Sequence, residues 1–259
     1  MTLAKKFSEP FPFELTIPAG QVPFPLIFIT PLLGRLILFE DLYFERRLAA
    51  FFAKNGFAAA VIQRPFFEFN PSQGLEQIQE YLVAMVSRNR SVLDCLVKMP
   101  AIDTQNIGSF GMSFGAVVNC LWAGSDKRLK ANILALAGGN IPEILITSRE
   151  FLLRSYVKTV KENLKLTDDS LLLSLKENFP LDTLRAAASI PRENVLMVIA
   201  VFDRVVRLRY GLALRRALNK PRTLFLPLGH YPSILAMPFL KWTALDFFKT
   251  KIKKTRTSR

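Results

Sequence analysis

The sequence predicts an α/β fold, a mostly parallel sheet of about eight strands with helices on both faces and a small helical cap. Three observations carry this reading. Short apolar, β-branched runs alternate with helix-period segments along most of the chain. A glycine-flanked serine follows one of these runs directly, near mid-chain. A run of about fifty residues, 141–191, has helical periodicity and no strand pattern.

Phe11 to Ile17 alternates weakly and reads as an edge strand. Leu26-Ile27-Phe28-Ile29-Thr30 is a buried strand stopped by Pro31. Asp41 to Asn55 follows as a helix, with Leu48, Phe51 and Phe52 on its apolar face and Gly56 as its stop. Phe57 to Gln63 is the next strand, ended by Pro65, and Gly74 to Val97 holds a long helical pattern before Pro100. Asn106 to Phe110 reads as a strand and Ala116 to Ala123 as a packed helix of small and apolar residues. Ala131 to Ala137 is a strand closed by Gly138 and Gly139. After Asn194 the alternation resumes: a strand from Val195 to Phe202, a helix from Arg207 to Leu218, a strand from Thr223 to Leu226, and a final helix from Pro232 to Phe248. Between them, Ile141 to Pro191 shows helical periodicity around Phe151-Leu152-Leu153 and Leu171-Leu172-Leu173, an insertion of the kind that caps a site. No composition break marks a linker. Residues 1–259 therefore read as one domain carrying 141–191 as a helical cap.

Half of the 259 residues are hydrophobic and 22 are Phe, which excludes disorder for most of the length. The net charge is +14 and the isoelectric point about 10. Such a balance raises nucleic acid, anionic membrane surfaces and acidic substrates as partners. The basic residues are scattered through helices, however, and the one dense run, Lys251 to Arg256, reads as a frayed, solvated terminus. With no zinc spacing, RNA-binding signature or repeat, the expectation is no nucleic acid and no metal, and peripheral contact with an anionic membrane surface stays open. Cys95 and Cys120 are too few for a disulfide framework; each lies in a helical apolar pattern and reads as a buried free thiol, in keeping with a reducing compartment. Lys5 and Lys6 are followed by Glu9, Pro10, Pro12 and Glu14, so no signal-peptide core is read there. Val22 to Phe39 is the most membrane-like stretch, but Pro23, Pro25, Pro31, Gly34 and Arg35 suit a strand and turn. A soluble, cytoplasmic protein is expected. Its oligomeric state is left open.

The chemistry-bearing residues begin with Gly111-Met112-Ser113-Phe114-Gly115, a G-x-S-x-G pentapeptide between a predicted strand and a small-residue helix. A sharp turn there holds the serine oxygen above the sheet, and the positions two before and two after must be small because neighbouring backbones press on them. A serine hydroxyl needs a base to take its proton at neutral pH, and the chain holds one histidine, His230, in the loop Pro227-Leu228-Gly229-His230-Tyr231-Pro232. Asp203 follows the strand ending at Phe202; no acid stands in Leu134 to Asn140, the other strand end from which an orienting carboxylate could come. Asp203 is therefore read as the acid that fixes the imidazole tautomer. An oxyanion hole needs two backbone N–H groups. One is assigned to Phe114, after the serine; the other to Leu32, because Pro31 has no N–H, with Leu33 as the runner-up. Phe66-Phe67-Glu68-Phe69 and the cap are read as lining an apolar acyl pocket, with a packing role for those aromatics as the other reading.

Ile102 to Gly115 resembles the elbow region of the dienelactone-hydrolase-like and prolyl-oligopeptidase-like branches of the α/β-hydrolases. Phe202-Asp203-Arg204-Val205-Val206 and Gly229-His230-Tyr231 are similar to the acid and histidine loops of that superfamily. The resemblance spans roughly residues 25 to 250. It implies the α/β-hydrolase fold, hydrolysis without a cofactor, and a Ser113–Asp203–His230 triad. Thr30-Pro31-Leu32 stands where the superfamily has a His-Gly pair, and serine replaces the nucleophilic cysteine of dienelactone hydrolases, which points away from that activity. The expected function is carboxylic ester hydrolysis through an acyl-enzyme on Ser113, on a small-molecule acyl ester. An acyltransferase, thioesterase or small peptidase with the same triad is the alternative, as is a non-catalytic basic binding protein.

Overall fold

Strands buried on both faces are apolar nearly throughout, and those of the computed structural model are: β3 (Phe24–Thr30), β4 (Ala58–Ile62) and β7 (Val195–Ala200) are buried at every position, with Thr30 the one polar residue among them. The structure describes residues 3–7, 12–32, 43–64 and 70–252. The remaining strands are β1 (Leu3–Phe7), β2 (Phe13–Ile17), β5 (Ile102–Met112), β6 (Leu129–Ala135) and β8 (Arg222–Leu226). Among the described residues the strands form one eight-stranded sheet in the order β1-β2-β4-β3-β5-β6-β7-β8. The pairings β1–β2 and β2–β4 are antiparallel, and all those from β4 through β3 to β8 are parallel.

The helices are α1 (Tyr43–Lys54), α2 (Glu76–Leu96), α3 (Phe114–Ser125), α4 (Ile141–Thr147), α5 (Phe151–Leu164), α6 (Asp168–Asn178), α7 (Thr183–Ala187), α8 (Leu208–Ala217) and α9 (Met237–Lys251). Side chains alternate across a strand, so β3 supplies two cores at once. Ile27 and Ile29 pack with Leu48 and Phe52 of α1 and Phe248 of α9. Leu26 and Phe28 pack on the other face with Val92 and Leu96 of α2, Trp122 of α3 and Leu214 of α8. Trp122, fully buried, meets Phe28 edge-on at 5.0 Å and donates its indole N–H to Asp126 at 3.2 Å.

The stretch read as a helical insertion holds α4, α5, α6 and α7 between β6 and β7. Ile141, Val157 and Leu171 of this segment bury against Tyr81 and Leu82 of α2 and Val118 of α3. The segment thus builds a third core on the outer side of α2 and α3.

Four readings are corrected. Phe13–Ile17 is second from the edge, because β1 pairs outside it; Ala4-Lys5-Lys6 offers no apolar alternation by which that strand could be read. The β5 strand starts at Ile102 rather than Asn106, its polar opening Asp103-Thr104-Gln105 masking the pattern. The final helix begins as a 3₁₀ turn at Pro232–Ala236, and α9 starts at Met237, with Pro238 in its first turn where a missing N–H costs nothing. Cys95 is exposed on α2, whereas Cys120 is buried.

That contrast sets thiol reactivity. Burial, with the Asp182 carboxylate nearby, pushes the Cys120 thiol up to about 12, so it stays protonated and shielded. One thiol per folded protein is expected to react with Ellman's reagent, forming a mixed disulfide and liberating one equivalent of thionitrobenzoate, a signal lost in Cys95→Ser. The second should react only in denaturant.

Candidate active site

A single residue, Ser113, makes the turn from β5 into α3. Its backbone lies at φ 53° and ψ −121°, a region that non-glycine residues rarely occupy and that stores on the order of 1–3 kcal/mol. Hydrogen bonds on both sides hold it there. Its N–H donates to Ala135 O of β6 at 2.8 Å, and its C=O accepts from Ala116 N and Val117 N at 3.0 and 3.1 Å. The flanking glycines answer a close approach of backbones. A Cβ on Gly111 would collide with the carbonyl oxygen of Gly115, and one on Gly115 would collide with the carbonyls of Thr30 and Pro31 at the end of β3.

The three residues singled out from the sequence come together at the C-terminal ends of β5, β7 and β8. Ser113 Oγ lies 2.9 Å from His230 Nε2, and His230 Nδ1 lies 2.7 Å from Asp203 Oδ2. An ionised carboxylate only accepts, so Nδ1 carries the proton, and Nε2 is left to accept from the serine hydroxyl. Asp203 is buried, and its other oxygen accepts from Val205 N at 2.7 Å and Val206 N at 2.8 Å. Those two donors fix the carboxylate independently of the histidine. The His230 side chain is only 9% exposed, and the residue stands before the 3₁₀ turn, whose Ser233 returns two hydrogen bonds to Gly229 O, from N at 3.1 Å and from Oγ at 2.7 Å.

Phe114 is the first residue of α3, and its N–H is one of those for which a helix offers no partner. Its ring stacks on Tyr81 at 5.5 Å. Burial raises the Tyr81 phenol, with the Arg64 and Arg88 charges opposing.

Leu32 departs from expectation. Its N–H is not free but donates to Glu45 Oε1 at 3.1 Å. Glu45 is a buried carboxylate in the first turn of α1 and was not foreseen as part of the site. An acid there reads only as a charge placed at a helix N-terminus. Leu33 and the aromatic run Phe66-Phe67-Glu68-Phe69 lie outside the described residues. A second unforeseen group stands at the end of β3, just before Pro31 and Leu32: Thr30 Oγ1 donates to Asn119 Oδ1 of α3 at 2.5 Å and accepts from Asn89 Nδ2 of α2 at 3.2 Å, all three buried. Two asparagines in apolar helical patterns were the available signal, since a buried amide needs a partner. Among the described residues no group of three or more His, Cys, Asp or Glu could hold a metal.

No protein-family model matches the chain, and no curated protein sequence matches it. Solved structures do. A cold-adapted esterase from an Arctic intertidal metagenomic library superimposes with a TM-score of 0.64 at 17% identity, over 97% of this chain and 95% of its own. An acetyl xylan esterase from Paenibacillus sp. R4 gives 0.67 at 14% identity, over 96% and 88%. The acylaminoacyl peptidase of Pyrococcus horikoshii gives 0.65 at 15% identity, over 100% of this chain and 43% of its own. With the strand order above, these likenesses show that the chain has the α/β-hydrolase fold.

The crowding at Gly115 is directly measurable. Gly115→Ala is expected to cost on the order of 3 kcal/mol in urea denaturation, because rigid backbone blocks the methyl. Gly229→Ala, whose methyl would meet only ordinary contacts at 3.5 Å and beyond, should stay within about 0.5 kcal/mol.

Proposed function

We propose that the protein is a serine hydrolase of carboxylic esters, with Ser113 as nucleophile, His230 as general base and Asp203 as orienting acid. The continuous line from Ser113 Oγ through His230 to Asp203 carries this reading, with links of 2.9 and 2.7 Å, on a fold shared with esterases. Ser113 Oγ attacks the ester carbonyl as His230 Nε2 takes its proton. The negative charge that forms on the carbonyl oxygen is met by the N–H of Phe114 and the N-terminal dipole of α3. His230 then protonates the leaving alcohol, and the same imidazole activates water to release the acid. Asp203, held by three hydrogen-bond partners, orients the imidazole and stabilises the imidazolium.

For Leu32 to serve as the second donor, its N–H must turn from Glu45 toward the substrate. Ile29, Leu32, Met112, Ile234 and Met237 line a small apolar cavity of about 20 Å³ that also holds Glu45, room for about one water molecule. The helices from 141 to 191 serve as a cap on the same domain, packed on α2 and α3 beside the elbow. The free thiols suit a reducing, cytoplasmic setting. Among the described residues no helix is long and apolar enough to cross a membrane.

A fluorophosphonate probe tests the chemistry. Ser113 Oγ should displace fluoride and carry the phosphonyl group, located by peptide mass spectrometry. His230→Ala and Asp203→Asn should each lower the rate on nitrophenyl esters by at least about 10³-fold while leaving the fold intact. A folded protein that neither labels at Ser113 nor turns over any ester would overturn the assignment.

A further inference from the structure

Three segments surround Asp203 and His230: the end of α4 into α5, the turn after β7, and the loop after β8. They are tied edge to edge. Arg149 N donates to Arg204 O at 3.1 Å, Arg207 Nη2 to Thr147 O at 3.3 Å, Phe202 N to Leu228 O at 3.0 Å, and Tyr231 Oη to Glu150 Oε1 at 3.5 Å. Several large apolar side chains of this rim face solvent. Phe151 is 77% exposed, Leu152 63%, Phe202 66% and Leu235 77%. Large side chains clustered in this way mark an interaction surface rather than ordinary scatter.

The same rim carries Arg149, Arg204 and Arg207, all exposed, and among the described residues none pairs with a carboxylate. The acids nearby are already engaged: Glu150 caps Leu153 N at 2.6 Å, Asp203 holds His230, and Glu143 takes Arg209 at 3.5 Å. Uncompensated guanidinium groups interleaved with exposed Phe and Leu demand a partner that is anionic at its surface and apolar just beneath. A second copy of the chain, also at +14, would set arginine against arginine. A nucleic-acid backbone would answer the arginines and leave Leu152 and Leu235 unmatched. Anionic lipid satisfies both, with headgroup phosphates for the arginines and the acyl boundary for the apolar side chains.

We infer that this rim docks the protein on anionic lipid bilayers, so that the Ser113–His230 site faces the membrane surface. The inference goes beyond ester hydrolysis, since binding needs no turnover. The full chain is sedimented with vesicles of phosphatidylcholine alone or mixed with phosphatidylglycerol. It should pellet with the mixed vesicles, less so as salt rises, and remain in solution with the neutral ones. Arg204→Glu and the pair Phe151→Ser, Leu152→Ser should each lower partitioning by on the order of tenfold. Arg192→Glu, the same change of charge at the opposite end of the sheet before β7, should alter it less than about twofold. Unchanged melting temperatures establish that the variants fold, and fluorophosphonate labelling without vesicles scores the hydrolase reading separately. Failure to pellet, equal binding to both vesicle types, or equal loss in Arg192→Glu would overturn the inference. So would a dimer that the Phe151→Ser, Leu152→Ser pair dissociates.

Discussion

The backbone of α3 approaches the end of β3 so closely that Gly115 leaves no room for a methyl beneath the carbonyls of Thr30 and Pro31. The rest of the site depends on this contact. It presses the N-terminus of the helix against the loop proposed to complete the oxyanion hole, and it leaves Ser113 the whole of the strand-to-helix reversal. Thr30 reinforces the contact from behind, because its hydroxyl joins Asn119 of α3 and Asn89 of α2 in the buried core. Strain at the serine is then held by surroundings with no slack: β6 takes its N–H and the first turn of α3 its carbonyl.

The proposed base and acid are held by a different principle. Asp203 and His230 stand on turns, where backbone alone does not specify a side-chain direction. Local hydrogen bonds replace packing. Val205 N and Val206 N fix one carboxylate oxygen and leave the other aimed at the imidazole. A buried carboxylate without them would be costly to keep charged. With them, both carboxylate oxygens have hydrogen-bond partners.

Much of this was legible in the sequence. The parallel strands announce themselves as unbroken apolar runs, and the elbow by the glycines its crowding requires. His230 and Asp203 were singled out as the partners serine chemistry would need, and the structure brings both into line with Ser113. Failures have physical causes. The β1 strand, Leu3–Phe7, lies at the edge of the sheet, where a strand has one partner and Ala4-Lys5-Lys6 carries no alternation. Cys95 follows a helical pattern but falls on the exposed face of α2, a phase that composition alone does not fix. Glu45 was invisible because its partner is a backbone N–H, which every residue but proline offers.

Glu45 also bears on how the site is regulated by its own geometry. The Leu32 N–H already donates to the buried Glu45 side chain, so on the proposed mechanism a substrate oxyanion would compete with Glu45 for it. Two negative groups do not share one donor at low cost in a desolvated pocket. The Phe114 N–H faces no such competition within α3, whose first turn offers it no acceptor. On the proposed mechanism, early charge on the carbonyl oxygen therefore falls to Phe114 and the α3 terminus. Leu32 contributes only as Glu45 withdraws.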